Sequence, residues 1–145
     1  MIAGIIFPIL PEFLDRLLVE NRFVFVKYLP RNETKVVPKS KLLFYVSRSS
    51  KEIVGEGRIE EILFLTPDEI LEKYGNKVFL DRDELFRYVH KQPKRKPSKE
   101  MLVLVLSRLK RYHHPVKYKK PISMAGQYLT ETDYSELLKC ANNMP

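Results

Sequence analysis

Two apolar segments that flank a short polar turn constrain the fold of this 145-residue chain more than any other feature. KLLFYVS at 41–47 is followed by the turn RSSKE at 48–52 and then by IVGEGRIEEILFL at 53–65. Runs rich in β-branched and aromatic residues on either side of a polar turn predict an antiparallel hairpin. Gly55 and Gly57 interrupt the second strand, where glycine marks a bulge or a close approach by another backbone or a ligand. Bending of a barrel wall is the simpler interpretation.

The remaining apolar segments predict an α+β fold. Further strands are predicted at 2–9, 22–29 and 100–112, the last containing the apolar run MLVLVL that is typical of a central strand. Helices are predicted at 11–20, 66–75, 81–92 and 130–140. The chain between His114 and the last helix is predicted to be irregular. Together these elements indicate a small, partly open β-barrel of about five or six mostly antiparallel strands with peripheral helices.

Chain length and cysteine content narrow the class of protein. The sequence predicts a single domain over 1–145, since no linker or repeat divides it. Cys140 is the one cysteine, which excludes an internal disulfide and a cysteine-rich zinc site. No segment approaches the roughly 20 apolar residues that cross a bilayer. We expect a cytoplasmic protein without a membrane partner, and no motif points to a cofactor or a metal.

Positive charge is concentrated in one part of the sequence. Residues 91–120 contain eleven Lys or Arg and one acid, Glu100, so this window carries +10 within a chain of net charge +8. The other 115 residues together carry −2. Segregation of one sign of charge indicates a polyanionic partner, RNA or another nucleic acid. A solvated basic surface, or one that docks an acidic protein, remains the alternative.

Two basic tracts, 91–99 and 108–120, hold the candidate nucleic-acid-binding residues. Lys and Arg can neutralise phosphates, and Tyr112 and Tyr118 can stack on splayed bases. The candidates are Lys91, Lys94, Arg95, Lys96, Arg108, Lys110, Arg111, Tyr112, Lys117, Tyr118, Lys119 and Lys120. His113 and His114 lie within the second tract, but neighbouring side chains of an extended segment point in opposite directions and seldom bind one metal. General acid–base catalysis by one of these histidines remains an alternative.

The order of elements and the hairpin FYVS…IVGEG resemble the PUA-like superfamily, which includes the PUA, ASCH, EVE and YTH domains. The likeness covers nearly the whole chain and is nearest to an uncharacterised archaeal family. It implies a fold that binds nucleic acid or a modified base, with a ligand pocket beside the hairpin. Candidate pocket residues are Lys27, Tyr45, Ser47, Arg48, Gln127 and Tyr128. Met124 is a further candidate for the pocket wall.

The chain departs from the patterns of two members of the superfamily. ASCH domains carry Gly-x-Lys-x-x-Thr/Glu-x-Arg, whereas VKYLPRNETKV supplies Lys27, Thr34 and Lys35 without the full spacing or the closing arginine. YTH domains use a tryptophan cage, and this chain has no tryptophan. Some ASCH-like proteins resemble amidohydrolases of modified nucleosides that use a Lys, a Thr and a Glu. Glu56 and Glu60 supply the carboxylates for such an activity.

The predicted function is therefore non-catalytic binding of RNA or of a modified nucleobase. A small ASCH-like amidohydrolase acting on modified nucleosides is one alternative, and a basic protein-interaction module is the other. The choice between RNA and DNA, the ligand and the oligomeric state stay open.

Overall fold

The computed structural model describes residues 2–46, 51–91, 99–118 and 120–142. The strands are β1 (Ile2–Pro8), β2 (Val24–Lys27), β3 (Lys41–Val46), β4 (Glu52–Leu65), β5 (Met101–Lys117) and β6 (Gln127–Thr130). The helices are α1 (Pro11–Leu18), α2 (Pro67–Tyr74), α3 (Arg82–His90) and α4 (Glu131–Asn142), with a 3-10 turn at Gly75–Lys77. The strands form one open six-stranded sheet in the order β2-β5-β4-β3-β1-β6. The predicted α+β class is confirmed.

The hairpin predicted from the sequence is present in the structure. β3 and β4 are antiparallel, with Lys41 opposite Arg58. β5, which contains MLVLVL, lies between β2 and β4, so the prediction of a central strand is confirmed. β1 pairs in parallel with β3 and antiparallel with β6. Among the described residues, no helix is both long enough and apolar enough to span a membrane.

The region after His114 differs from the prediction. β5 continues to Lys117, and β6 follows at 127–130, where an irregular chain was expected. The reason is a large bulge: residues 112–115 of β5 lie opposite the single residue Val54 of β4, and regular pairing resumes at Val116. Residues within a bulge do not follow the alternation of apolar and polar side chains, although the strand continues beyond them. A bulge can also hold a proline, which has no backbone N–H to donate to the neighbouring strand.

The sheet buries side chains on both of its faces. The inner face packs against α1, α2 and α3, and the larger core lies there, with Phe7, Phe25 and Phe44 among its fully buried side chains. The outer face packs against α4, where Ile6 and Leu43 are fully buried. Successive side chains of a strand point to opposite faces, so strands such as β1 and β3 contribute to both cores.

Helix starts agree with the capping residues in the sequence. Thr66 accepts a hydrogen bond from the Glu69 amide, and the Glu69 side chain accepts one from the Thr66 amide, which completes a capping box. At α3 the Glu84 carboxylate accepts a hydrogen bond of 2.8 Å from the Asp81 amide. At α4 the hydroxyl of Thr130 accepts from the Asp133 amide at 3.1 Å.

Candidate nucleic-acid interface

A cavity of about 680 Å³ opens on the inner side of the sheet. It lies between the end of β1, α1, β2, the segment before α3, and α3 itself. Its apolar lining residues are Pro8, Ile9, Leu10, Phe13, Phe25, Val26, Phe79, Leu80 and Met124. Cavities that bind small molecules have volumes of about 300–1,000 Å³ and mostly apolar walls with a few polar groups. The cavity is therefore large enough for a nucleoside or nucleotide.

Stacked aromatic rings support one wall of the cavity. The Phe25 ring lies with its centroid 5.6 Å from that of Phe7 and 5.0 Å from that of Phe79, and both pairs are stacked. Phe13 meets Phe79 edge to face at 5.9 Å. Such contacts add about 0.5–1.5 kcal/mol per pair beyond area burial, so they stabilise this wall of the cavity.

Lys27 places a positive charge among these apolar side chains. It lines the cavity from β2 and is only 5% exposed. Its Nζ lies 5.5 Å from the centroid of the Phe7 ring, within the range of a cation–π contact. An ammonium at this position can donate a hydrogen bond to a ligand that brings an anionic group or a carbonyl oxygen into the cavity.

α3 and the residue after it supply the other polar groups of the cavity. Glu84, Arg87 and Tyr88 line it from α3, because residues three and four apart share one face of a helix, and Lys91 lines it directly after the helix. Arg16 of α1 forms a bidentate pair with Glu84, in which Nη2 donates to Oε2 at 2.9 Å and Nη1 donates to Oε1. The hydrogen bond from Arg16 lowers the pKa of the Glu84 carboxyl to about 2. Glu84 is therefore ionised and neutralised at pH 7, and Lys27, Arg87 and Lys91 leave the described lining positive.

The Arg16–Glu84 pair predicts acid sensitivity. The folded pKa of Glu84 is depressed from 4.5 to about 2, so its contribution to stability is complete above pH 4.5 and is lost as the pH falls towards 2. After allowance for solvent screening, we expect a loss of about 1–2 kcal/mol in the free energy of unfolding. Urea unfolding between pH 7 and pH 3 measures this. Glu84→Gln should flatten that dependence, whereas Glu72→Gln, at an exposed site of α2, should not.

A second polar cluster lies on the outer face, beneath α4. Glu56 is 3% exposed. Its carboxylate accepts hydrogen bonds from the hydroxyl of Tyr112 at 2.9 Å and from that of Tyr134 at 2.8 and 2.9 Å. Lys41 Nζ lies 4.0 Å from the same carboxylate. Burial and the neighbouring carboxylate raise the pKa of both tyrosines. These groups hold α4 to the sheet, and sequence reasoning did not bring them together.

A family model described as "Domain of unknown function (DUF365)" matches residues 2–131. The chain belongs to this family. The match includes every strand of the sheet and ends at the start of α4. An uncharacterised protein of Methanocaldococcus jannaschii is 36% identical over 105 residues, which cover 68% of this chain and 97% of that protein. The predicted likeness to an uncharacterised archaeal family is confirmed.

Solved structures share the fold of this DUF365 protein. The ASCH protein of Zymomonas mobilis superposes with a TM-score of 0.78 at 13% identity, covering 99% of each chain. The N-terminal domain of Staphylothermus marinus McrB gives a TM-score of 0.59 at 16% identity, covering 94% of this chain and 92% of that one. At these identities the likeness concerns the fold, and it confirms the predicted PUA-like, ASCH-like architecture.

The basic tracts of this DUF365 protein do not form one surface. Lys91 lines the cavity, whereas Lys110 lies opposite Glu56 on the outer face. Arg111 lies on the inner side, where its Nη2 is 3.2 Å from Asp15 Oδ1 of α1. Arg108, Lys117 and Lys120 are exposed. Lys94, Arg95, Lys96 and Lys119 lie outside the described residues.

The two tyrosines of the second tract are not equivalent. Tyr112 is 5% exposed and donates to Glu56, so the expectation that it stacks on a base is wrong for this structure. Tyr112 begins the bulge in β5 and its side chain points to the outer face, so its ring lies under α4. Tyr118 is half-buried and packs edge to face against Tyr45 at 6.4 Å. Base stacking by Tyr118 stays a prediction.

The predicted pocket residues of this DUF365 protein are also divided. Lys27 lines the cavity, but Tyr45 is buried on the outer face, which corrects its assignment to the same pocket. Gln127 is exposed, and its Nε2 donates to the Tyr128 carbonyl at 3.2 Å. The Tyr128 hydroxyl accepts from the Lys35 amide at 2.9 Å. Ser47 and Arg48 lie outside the described residues.

Sequence reasoning identified Met124 as a wall of the pocket but missed the contribution of α3. Met124 lines the cavity from the loop before β6. The sequence places Glu84, Arg87 and Tyr88 within the helix predicted at 81–92 and gives no sign that they line a cavity. The signal that could have found them is the polar edge of α3, which places charged groups beside its buried residues Leu85 and Val89.

Proposed function

We propose that this DUF365 protein binds single-stranded RNA, or a modified nucleobase within RNA, without catalysis, and that one unpaired base enters the inner cavity. The observation that carries the proposal is a cavity of about 680 Å³ with an aromatic wall, a buried lysine and two further cations at α3. Proteins recognise RNA sequence mainly through unpaired bases that stack on aromatic side chains and hydrogen-bond along their edges. Such stacking contributes about 1–3 kcal/mol per base.

The charges of the cavity support a nucleotide rather than an apolar ligand. Lys27 can donate to a base carbonyl or to a phosphate, and Arg87 and Lys91 can contact a neighbouring phosphate. The PUA-like fold adds support, because the superfamily likeness implies binding of nucleic acid or of a modified base. The positive excess of residues 91–120 has the same implication.

The position of the carboxylates favours binding over hydrolysis. An amidohydrolase needs a carboxylate that shuttles protons beside its nucleophile. Glu56 and Glu60 bond to residues on the outer face, away from Lys27. Glu84 does line the cavity, but its pKa of about 2 and its pairing with Arg16 make it a weak base.

The test is fluorescence anisotropy with the four homopolymeric oligoribonucleotides and their DNA counterparts. Lys27→Met keeps the length of the side chain and removes its charge, so we expect at least about 10-fold weaker binding to the preferred base, consistent with loss of one charge-assisted hydrogen bond. Lys73→Met, at an exposed site of α2, is the matched control and should bind as the unchanged protein does.

The same experiment separates the alternatives. Equal binding to all eight oligomers, unaffected by Lys27→Met, would overturn the assignment of the cavity to a base. Equal binding to an acidic polypeptide would favour the basic protein-interaction module. Release of a modified group from a nucleoside substrate, with loss of turnover in Lys27→Met, would favour the hydrolase.

A further inference from the structure

A group of basic side chains on the outer face of the sheet, beside the Glu56 cluster, extends beyond the two basic tracts. We name it the outer cationic patch, and its members are Lys39, Lys41, Arg58, Arg108 and Lys110. Lys39, Arg108 and Lys110 are exposed, and Lys41 and Arg58 are half-buried. Three of these residues lie outside residues 91–120, so the charge distribution along the sequence does not reveal the patch.

Strand pairing brings these side chains together. Lys41 of β3 lies directly opposite Arg58 of β4, and Lys110 of β5 lies directly opposite Glu56 of β4. Side chains opposite each other in an antiparallel pair have Cβ atoms about 4.5–5.5 Å apart. Arg108 occupies a β5 bulge with φ 49°, in the left-handed region. The hydrogen bond from the Ser107 hydroxyl is the main cause that lowers the pKa of Glu60. The charges of Arg58, Arg108 and Lys39 lower it further, which places these cations near that carboxylate.

The carboxylates of the patch do not balance its cations. Glu56 accepts hydrogen bonds from two tyrosines, and Glu60 accepts one from the Ser107 hydroxyl. Glu56 also pairs with Lys41 and Glu60 with Arg58, so the described residues give no ion pair to the other three cations of the patch, Lys39, Arg108 and Lys110. Like charges opposite each other, such as Lys41 and Arg58, destabilise a sheet.

Arg58 forms an ion pair with Glu60 inside the patch. Its Nε is buried and makes no hydrogen bond within the described structure, although Glu60 Oε2 lies 3.4 Å away. An anion on the patch would lower the repulsion between the opposed Lys41 and Arg58.

We infer that the outer cationic patch binds the phosphodiester backbone of a nucleic acid, independently of the bases. This inference rests on the proposed function only in taking nucleic acid as the partner. The patch lies on the outer face and the cavity on the inner face, so the two sites can be tested separately. Phosphates would contact the exposed Lys39, Arg108 and Lys110, and the Arg58 guanidinium would lie beneath them.

An abasic oligonucleotide carries the phosphates without the bases and is the probe. The patch variant combines Lys39→Gln, Arg108→Gln and Lys110→Gln. The control variant combines Lys73→Gln, Lys77→Gln and Lys139→Gln, which are exposed and change the net charge equally. Each phosphate contact on a single strand contributes about 0.7 to the slope of log affinity against log salt. Removing three contacts should lower the slope by about 2 and the affinity about 100-fold at roughly 0.1 M salt.

Each result decides the inference. The inference is supported if the patch variant loses affinity for the abasic strand while the control variant does not. Lys27→Met should also bind the abasic strand as tightly as the unchanged protein does. Equal losses in both triple variants overturn it, because net charge alone would then explain the binding. If the unchanged protein binds RNA but no abasic strand, the patch is overturned and the cavity stands. If polyglutamate binds as tightly as the abasic strand, and the patch variant loses the same affinity for both, the choice of nucleic acid as the partner is overturned.

The single variant Lys110→Gln is the second measurement if the triple patch variant does not fold. Its salt slope should fall by about 0.7. An unchanged slope overturns the inference.

Discussion

Replacing Glu56 by alanine is expected to lower the free energy of unfolding by about 3–5 kcal/mol, the usual cost of removing one partner from a buried charged network. The carboxylate accepts from Tyr112 and Tyr134 while only 3% exposed. Its removal leaves the buried Tyr112 hydroxyl and the half-buried Tyr134 hydroxyl without this acceptor, and Lys41 without its nearest counter-charge. The same substitution loosens the contact between α4 and the sheet.

Urea unfolding at pH 7 measures this loss, and Glu60→Ala is the matched control. Glu60 lies on the same strand with its side chain 40% exposed, so its replacement should cost less than about 1 kcal/mol. Tyr134→Phe removes one donor to Glu56 and should cost about 1.5–3 kcal/mol. If Glu56→Ala loses no more stability than Glu60→Ala, the buried network contributes nothing to the attachment of α4.

Gly55→Ala is the second substitution with a large expected effect, a loss of about 3 kcal/mol or more. A Cβ at Gly55 would lie 2.4 Å from the carbonyl oxygen of Lys110 and 3.2 Å from Cα of Arg111. Both are backbone atoms of β5, so relief requires the two central strands to separate. Overpacking of a rigid core costs typically about 1–3 kcal/mol and more where the backbone must move.

Gly57→Ala, two residues along the same strand, is the control for Gly55→Ala. There the nearest atom to an added Cβ is Cδ2 of Leu109 at 2.8 Å, the end of a flexible side chain that can change rotamer. We expect a loss below about 1 kcal/mol by thermal unfolding. A loss at Gly55 that is as small as the one expected at Gly57 would show that the strands can separate without much cost.

These two glycines show how far the sequence predicts the fold. Alternation and turn residues predict the hairpin, the central strand and the helix caps, because each of these patterns is local. These local patterns do not show which glycine lies against the backbone of a neighbouring strand, since that depends on the register between β4 and β5. The last part of β5 could not be predicted from the sequence for a similar reason. The residues within the bulge opposite Val54 break the alternation of apolar and polar side chains that identifies a strand.

The candidate site was less predictable than the fold, again for reasons of register. Lys110 and Arg111 are neighbours in sequence, yet one faces Glu56 on the outer face and the other faces Asp15 on the inner side. A basic tract within a strand is therefore divided between two surfaces. The cavity combines Lys27 of β2 with Glu84 of α3, and no spacing in the sequence relates residues so far apart.

The position of β1 between β3 and β6 has a consequence for the folding of the chain. Ile2 lies opposite Thr130, so one of the first strands to be synthesised acquires its second neighbour only when β6 has been made. Pairing between residues so distant in sequence raises the contact order and slows folding. Until residues 127–130 leave the ribosome, the open edge of β1 can pair with another nascent chain, and aggregation competes with folding during that interval.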